Sequence, residues 1–198
     1  MRLSKLKGYS LAGANPDTKR VANDFYATNP KALEMLLDAF PFDGKCLEPC
    51  VGQGHLANVI KSRVDDEVVC LDLIDRGYPN TIVHDYLSWV TNDSFDCIIS
   101  NPPYSLAEEF IRKSLSLLTS GGICAMFLKI QFLESAGRKV FFEEFPPKYI
   151  YVFRSRMDAW RNGFRLNPDT NKPWQTTFCH AWFIWEKGSK SEPIVRWL

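Results

Sequence analysis

No charge of one sign dominates this sequence, in which 24 lysines and arginines nearly balance 23 aspartates and glutamates for a formal net charge of +1. A strong global field that would attract nucleic acid is therefore excluded, and any cationic surface must be local. The sequence also lacks an apolar run of membrane-spanning length, and its basic start contains no apolar signal core. We therefore expect a cytoplasmic protein without a membrane partner.

Cysteines spaced for metal binding are missing as well. The six cysteines form no CxxC pair and no histidine-completed zinc pattern, so we expect no metal site. Cys46, Cys70, Cys97 and Cys124 lie in apolar runs that predict strands, which indicates reduced thiols inside a core. The length of 198 residues and the hydrophobic content of 45% suit one globular domain and leave little room for a second.

The sequence does contain a regular alternation of apolar runs and amphipathic segments. Residues 1–24 predict a basic irregular arm, and residues 25–198 predict a single domain. Strands are predicted at 45–47, 67–73, 95–100, 123–128, 149–153 and 178–185. Helices are predicted at 30–40, around 56–60, and from a Ser105 cap, with Glu108 as its capping-box partner, to the pair Gly121 and Gly122.

This alternation indicates an α/β fold with a mainly parallel sheet and helices on both faces. The last two strands have no helix between them, so we expect them to form an antiparallel pair at one edge of the sheet. In such sheets ligands bind at the carboxyl ends of the strands. Three polar motifs follow strands there, at 48–54, at Asp72 and at 101–104, and we expect them to line one crevice.

The tetrapeptide Asn-Pro-Pro-Tyr at 101–104 suits chemistry on an amine that is conjugated to a ring or a carbonyl. Such an amine is a poor nucleophile because its lone pair is delocalised. The Asn101 side-chain oxygen and the Pro102 carbonyl can each accept one N–H, while Pro102 and Pro103 restrict the backbone that carries these acceptors. The Tyr104 ring offers a face on which a planar substrate can stack. The alternative is a strand-ending turn without a catalytic role.

The motif EPCVGQG at 48–54 together with NPPY at 101–104 resembles the signature pair of S-adenosylmethionine-dependent amino-methyltransferases, in particular the adenine-specific (N6) DNA methyltransferases. The likeness is to a small, phage-like form without a separate target-recognition domain. It implies a Rossmann-like methyltransferase sheet, a catalytic domain over 25–198, and methyl transfer from S-adenosylmethionine to the exocyclic N6 amine of adenine in DNA. Asn101 and Pro102 would orient the amine and Tyr104 would stack on a base flipped out of the duplex, where the amine is otherwise paired.

The resemblance also implies a set of cofactor-binding residues, namely Tyr26, Thr28, Glu48, Pro49, Gly52, Gly54, Asp72 and Asp85. Glycine at 52 and 54 lets a backbone turn pass close to a ligand without an intervening side chain. The family would place both glycines against the methionine part of the cofactor, with Glu48 on its amino group directly or through water. Gln53 stands between them where the family often has Asp or Ser, and this departure leaves the role of Gln53 open.

The other implied cofactor contacts involve acids and the segment before the first helix. Asp72 would accept both ribose hydroxyls, with Asp75 as its rival, and Asp85 would accept from the adenine amine. The alternative for Asp85 is a solvated loop carboxylate. Thr28 would hold the cofactor carboxylate with Tyr26 packed nearby, and the alternative there is a helix entry with incidental aromatics.

The segment 154–177 is the predicted substrate-contacting loop. Aromatic residues are interleaved in it with the basic residues Arg154, Arg156, Arg161, Arg165 and Lys172. Because the segment is longer than an ordinary hairpin connection and follows a strand of the predicted sheet, it favours contact with phosphates and bases. The alternative is a surface loop whose aromatics cover the core. Double-stranded DNA is the expected partner, with sequence selectivity that is short, weak or supplied by a partner subunit or a second copy.

Other substrates stay open at this point, because the same amine chemistry applies to them. They are an adenine or guanine amine in RNA, a glutamine amide in a protein and a cytosine amine in DNA. A non-catalytic nucleic-acid-binding homologue would be expected to have lost the amine or the cofactor motif, and both are intact here.

Overall fold

Ten strands and four helices make up the fold in the computed structural model, which describes residues 26–65, 67–161, 163–174 and 178–198. The predicted arm at 1–24 lies outside the described residues. The strands are β1 Tyr26–Thr28, β2 Cys46–Glu48, β3 Val69–Asp72, β4 Ile82–Val83, β5 Phe95–Ser100, β6 Leu118–Lys129, β7 Tyr149–Val152, β8 Ala159–Arg161, β9 His180–Glu186 and β10 Ile194–Trp197. The helices are α1 Pro30–Ala39, α2 His55–Arg63, α3 Ala107–Leu117 and α4 Lys139–Glu144.

Eight of these strands form one sheet in the order β10-β7-β9-β6-β5-β2-β3-β4. Neighbouring strands are parallel except for β9, which runs antiparallel to both β6 and β7. The predicted fold class, a mainly parallel sheet with an antiparallel pair, is thereby confirmed. The pair does not form the edge itself, because β10 adds outside it, parallel to β7. The four β10 residues carry no alternation that would have predicted a strand.

The helices cover both faces of the sheet, as predicted. Residues of α1 and α2 pack in one hydrophobic cluster with Cys97 and Ile99 of β5, and residues of α3 and α4 pack in a second cluster with Ile98. This alternation is the side-chain period of a strand that is buried on both faces. All six cysteines lie within the described ranges as free thiols, and Cys46, Cys70, Cys97 and Cys124 are buried in the core as expected.

The helix after β5 differs from its prediction at both ends. Ser105 is not its cap but lies in a short 3-10 turn over Tyr104–Leu106, and α3 begins at Ala107 without a side-chain cap. At the other end α3 stops at Leu117, because Leu118 pairs with Phe95 and begins β6. Sheet pairing therefore takes residues that helical periodicity assigns to the helix.

Strands β1 and β8 form a separate two-stranded antiparallel sheet, called the β1–β8 ribbon below. Tyr26 pairs with Arg161, and Thr28 pairs with Ala159. The ribbon joins the segment before α1 to the predicted substrate-contacting loop. None of the helices in the part of the chain that the structure describes is long and apolar enough to cross a membrane.

Candidate active site

The three predicted motifs meet at one edge of the sheet. Strands β5, β2 and β3 are adjacent and parallel, so their carboxyl ends lie side by side. Glu48 is the last residue of β2, Asp72 is the last residue of β3, and Asn101 follows directly after β5. The sheet topology thus supports one crevice lined by these motifs, which is where doubly wound sheets bind ligands.

Asn101 is held by the β1–β8 ribbon. Its side-chain nitrogen donates a hydrogen bond of 2.9 Å to the Thr28 hydroxyl and lies 3.5 Å from the Tyr26 carbonyl oxygen. Thr28 is buried, with 3% of its surface exposed. Because the amide nitrogen faces the ribbon, the amide oxygen is the end that can accept from a ligand.

The residues after Asn101 continue into a rigid turn. Pro102 is buried, and the Pro103 carbonyl accepts a hydrogen bond of 2.9 Å from the Leu106 backbone N–H. Tyr104 opens the 3-10 turn, and burial raises the pKa of its phenol well above the ordinary value. The phenol therefore stays neutral at physiological pH, and its contribution is the ring.

Lys129 lies beside both the Tyr104 ring and the Phe178 ring, and neither Lys129 nor Phe178 was predicted as a site residue. The Lys129 ammonium lies 4.9 Å from the Tyr104 ring centre and 3.6 Å from the Phe178 ring centre. The signal that could have found them is topological: Lys129 ends β6, and the antiparallel β9 begins opposite it at His180. An antiparallel strand brings its amino end to the edge where its parallel neighbours have their carboxyl ends.

His180 completes this aromatic side of the site. Its ring stacks on Phe127 at 4.9 Å and 15°, and only 5% of the residue is exposed. Burial and the nearby Lys129 charge lower the pKa of His180 to about 4. The imidazole is therefore neutral at physiological pH, which agrees with a structural role in packing the aromatic strands.

Glu48 and Asp72 form a buried acidic pair beside the glycine turn. Asp72 accepts hydrogen bonds from the Gly52 backbone N–H at 2.8 Å and the Ile74 backbone N–H at 3.0 Å. Glu48 is 1% exposed, and one of its carboxyl oxygens has no hydrogen-bond partner among the described residues. Burial, and then the charge of Asp72, raise the pKa of Glu48, partly offset by a backbone N–H of Ala57. Such an orphan acceptor suits a ligand that brings a cationic or hydrogen-bond-donating group.

Packing of the Tyr78 ring constrains the glycine turn at 48–54. Gly54 has φ +85°, and a Cβ there would collide with the Tyr78 ring. Gly52 also has a positive φ, and Pro49 is buried at the end of β2. The close approach that requires glycine at 54 is therefore, at least in part, the packing of Tyr78.

The other acids differ in burial. Asp72 is 8% exposed, whereas its rival Asp75 is exposed and accepts from the Gly77 backbone N–H. The geometry thus favours Asp72. Asp85 is exposed and accepts from the Leu87 backbone N–H at 3.0 Å, a contact that the solvated-loop alternative also explains, so its cofactor role stays a prediction.

The predicted substrate loop contacts the glycine turn through the β1–β8 ribbon. The rings of His55 and Trp160 lie 5.3 Å apart, and a Cβ on Gly163 would collide with the Gln53 amide. Gln53, whose role the sequence left open, therefore lies against this loop. The loop also contains a short hairpin bridge between Leu166 and Pro173.

The four predicted substrate-binding arginines have different surroundings. The Arg154 guanidinium donates to the Leu198 carbonyl at 3.2 Å, so it is engaged in holding a neighbouring strand end. Arg156 and Arg165 are exposed. The backbone of Arg161 lies in β8, and its side chain lies outside the described part of the structure. Among the described residues no cluster of histidine, cysteine and acidic side chains could hold a metal ion.

Comparison with known proteins supports the fold. No protein-family profile matches the chain, and no curated protein sequence matches it either. A methyltransferase from Pyrococcus furiosus resembles it with a TM-score of 0.54 and 16% identity, covering 91% of this chain and 94% of that chain. A candidate class I S-adenosylmethionine-dependent methyltransferase from Listeria monocytogenes has a TM-score of 0.53 and 15% identity, covering 85% of this chain.

The modification subunit of a candidate type I restriction enzyme from Vibrio vulnificus has a TM-score of 0.57 and 14% identity, covering 85% of this chain. The chain spans 61% of the length of the Listeria protein and 45% of the Vibrio subunit. At these identities the likeness concerns the architecture of the chain. The chain has the Rossmann-like fold of the class I S-adenosylmethionine-dependent methyltransferases.

Proposed function

We propose that this protein transfers a methyl group from S-adenosylmethionine to the exocyclic N6 amine of adenine in DNA. The observation that carries the proposal is the orientation of Asn101 at the carboxyl end of β5, where its amide nitrogen is bound to Thr28. The amide oxygen is left as an acceptor at the same end of the sheet as Glu48 and Asp72. An amide acceptor followed by two prolines and a tyrosine suits a planar, amine-bearing substrate.

The acidic pair and the glycine turn fit the cofactor. Its methionine amino group is cationic, and Glu48 presents a buried carboxyl oxygen that lacks a partner among the described residues. Asp72 keeps acceptor capacity for ribose hydroxyls, since each of its oxygens accepts one backbone hydrogen bond and has two lone pairs. When bound, S-adenosylmethionine supplies a methyl carbon attached to a sulfonium leaving group.

The chain's own residues act mainly on the amine. Asn101 Oδ1 and the Pro102 carbonyl accept the two N–H groups, which favours a pyramidal nitrogen whose lone pair is available to the methyl carbon. Glu48 and Asp72 would hold the cofactor, whose sulfonium would leave as the nitrogen takes the methyl carbon, and the surplus proton would then leave nitrogen for solvent. No strong base is needed, which agrees with the neutral, packed state of His180.

The aromatic side of the site suits a flipped base. The Lys129 ammonium lies near both the Tyr104 ring and the Phe178 ring. Two rings of this kind can stack on a planar base, and a cation nearby favours a substrate that carries phosphates. On the predicted substrate loop, Arg156, Phe164 and Arg165 are exposed, and residues of these types suit contacts with phosphates and bases.

The test is transfer of labelled methyl from S-adenosylmethionine to unmethylated double-stranded DNA, with nucleoside mass spectrometry of the product. We expect N6-methyladenine, and a loss of at least about 100-fold in Asn101→Ala, because a preorganised hydrogen-bond partner at the reacting group is removed. Asn92→Ala is the matched control, since Asn92 is an exposed loop asparagine before β5.

The other outcomes decide between the alternative functions. Transfer to RNA or to a glutamine amide, with none to DNA, would refute the DNA substrate and keep the methyltransferase activity. If calorimetry detects no cofactor binding, both the DNA substrate and the methyltransferase activity are refuted, and a non-catalytic nucleic-acid-binding homologue is favoured.

A further inference from the structure

We propose that Thr28 is a positioning residue for Asn101: its hydroxyl oxygen binds the amide nitrogen and so directs the amide oxygen to the target amine. The inference deepens the proposed function and rests on it. It gives Thr28 a role that differs from the one implied by resemblance, in which Thr28 holds the cofactor carboxylate.

A side-chain amide needs such a partner because its two ends have nearly the same shape and opposite hydrogen-bonding character. Rotation about the last side-chain bond of Asn101 exchanges its oxygen and nitrogen, and this torsion has only a broad, two-fold preference. With the nitrogen facing the substrate, Asn101 would offer a donor to an amine that needs acceptors. The 2.9 Å hydrogen bond to the buried Thr28 hydroxyl favours the productive orientation.

Thr28 is itself fixed on both sides. It pairs with Ala159 in the ribbon, and the next residue, Asn29, is the N-cap of α1. Asn29 accepts from the Lys31 backbone N–H at 3.1 Å and donates to an Asp158 carboxylate oxygen at 2.6 Å. Displacing Thr28 would therefore disturb a helix cap and a strand pair, so its hydroxyl is a well-defined acceptor.

The positioning role and the cofactor role can be separated by experiment. A threonine hydroxyl has one proton to donate and two lone pairs, so accepting from Asn101 leaves its proton for a carboxylate. Loss of the cofactor role weakens cofactor binding. Loss of the positioning role lowers kcat even when the cofactor is saturating.

The variants are Thr28→Val, which keeps the shape and removes the acceptor, and Thr28→Ser, which restores it. We expect Thr28→Val to lower kcat at saturating cofactor by roughly 10-fold, the factor associated with loss of one hydrogen bond by a partly buried donor. Thr28→Ser should recover most of that loss. Thr28→Val with unchanged kcat would overturn the proposal, whether or not cofactor binding weakens.

A second measurement does not depend on activity or on a loaded cofactor. The side-chain amide resonances of Asn101 in ¹⁵N-labelled protein can be assigned by their absence from Asn101→Ala. Thr28→Val should shift these resonances and Thr28→Ser should leave them near the wild-type position, with the other amide signals preserved. Unshifted resonances in Thr28→Val would overturn the proposal. If wild-type protein transfers no methyl group while these shifts occur, the proposed function fails and the positioning contact stands.

Discussion

The two sides of the candidate site are built in different ways. The strand-end motifs at 48–54, 72 and 101–104 belong to adjacent parallel strands whose core residues are buried on both faces. The other side is the β1–β8 ribbon with the loop that follows it, held by three residue pairs and a few side-chain hydrogen bonds. The strand-end residues proposed to bind the cofactor and the amine thus lie on the rigid side, and Thr28, proposed to orient Asn101, lies on the lightly held side.

The difference between the two sides indicates which residues control alignment in the proposed reaction. Elements with few buried contacts open at lower free energy than core strands, and they are the elements that can move to admit a substrate. Asn101 sits on the rigid side and takes its orientation from the other side through Thr28. Changes to the strand ends should therefore abolish chemistry, whereas changes to the ribbon should weaken alignment.

The largest effect on the rigid side, apart from Asn101, is expected at Tyr104. Tyr104→Ala should lower kcat/KM for DNA by roughly 10- to 100-fold, because a stacking face worth about 1–3 kcal/mol per base is removed. Tyr104→Phe keeps the ring and should retain most activity, since the Tyr104 phenol stays neutral. Duplexes with 2-aminopurine at the target position report base extrusion by fluorescence. Equal losses in the two variants would contradict a stacking role.

On the ribbon side the corresponding position is Asp158. Its carboxylate accepts from Asn29 at 2.6 Å and from the Trp160 indole N–H at 3.0 Å, so it clamps β1 to β8. Asp158→Ala should lower activity by up to about 30-fold, since two hydrogen bonds worth about 1 kcal/mol each are lost. It should also speed hydrogen exchange in 26–28 while the β5 amides stay protected.

Asp169→Ala is the control for this comparison, because Asp169 is an exposed acid of the same loop. Exchange that accelerates equally in β5 and in the ribbon of Asp158→Ala would indicate global destabilisation. The proposed difference between the two sides would then be wrong.

The same contrast separates what the sequence could predict from what it could not. The six predicted strands are present because each is a local run of apolar residues, and parallel topology alone brings Glu48, Asp72 and Asn101 to one edge. Strands β1, β4, β8 and β10 were not predicted, since each has only two to four residues and no local pattern distinguishes it from a loop.

The contacts that complete the site are long-range and were missed for that reason. Thr28 and Asn101 are 73 positions apart in the chain, and no local pattern in the sequence indicates that they meet. Lys129 and Phe178 meet because β9 runs antiparallel beside β6. The helix from Ser105 was misplaced because pairing of Leu118 with Phe95 outweighs helical periodicity at its end.

A smaller effect on the rigid side is expected for Glu48, which should release a proton when the cofactor binds. Burial and Asp72 raise its pKa, so the free protein retains a proton there at pH values where an exposed glutamate is ionised. A cationic amino group beside Glu48 favours the charged form, so cofactor binding should release a proton and strengthen as pH rises toward the pKa of the free protein.

Calorimetry in buffers of different ionisation enthalpy measures this release. Glu48→Gln should bind without it and about 10-fold more weakly, the factor expected for one charge-assisted hydrogen bond. Identical proton release in wild-type protein and Glu48→Gln would place the ionising group elsewhere.

The smallest effect on activity is expected at His180, which belongs to the rigid core behind the aromatic side. Burial and the Lys129 charge lower its pKa to about 4, from an ordinary value near 6.5. Between these two pH values the unfolded chain binds a proton at His180 and the folded protein does not. The free energy of unfolding should therefore fall as pH drops from about 6.5 towards 4, by an amount on the order of 1–3 kcal/mol. His180→Gln should show a shallower fall in the free energy of unfolding, measured by denaturant titrations over this pH range, while His55, whose pKa burial also lowers, contributes equally to both proteins.

Methyl transfer between pH 6.5 and 8 should show no inflection from His180, because His180 stays neutral throughout. An activity inflection that disappears in His180→Gln would contradict a purely structural role and would show that His180 takes part in the chemistry of the site.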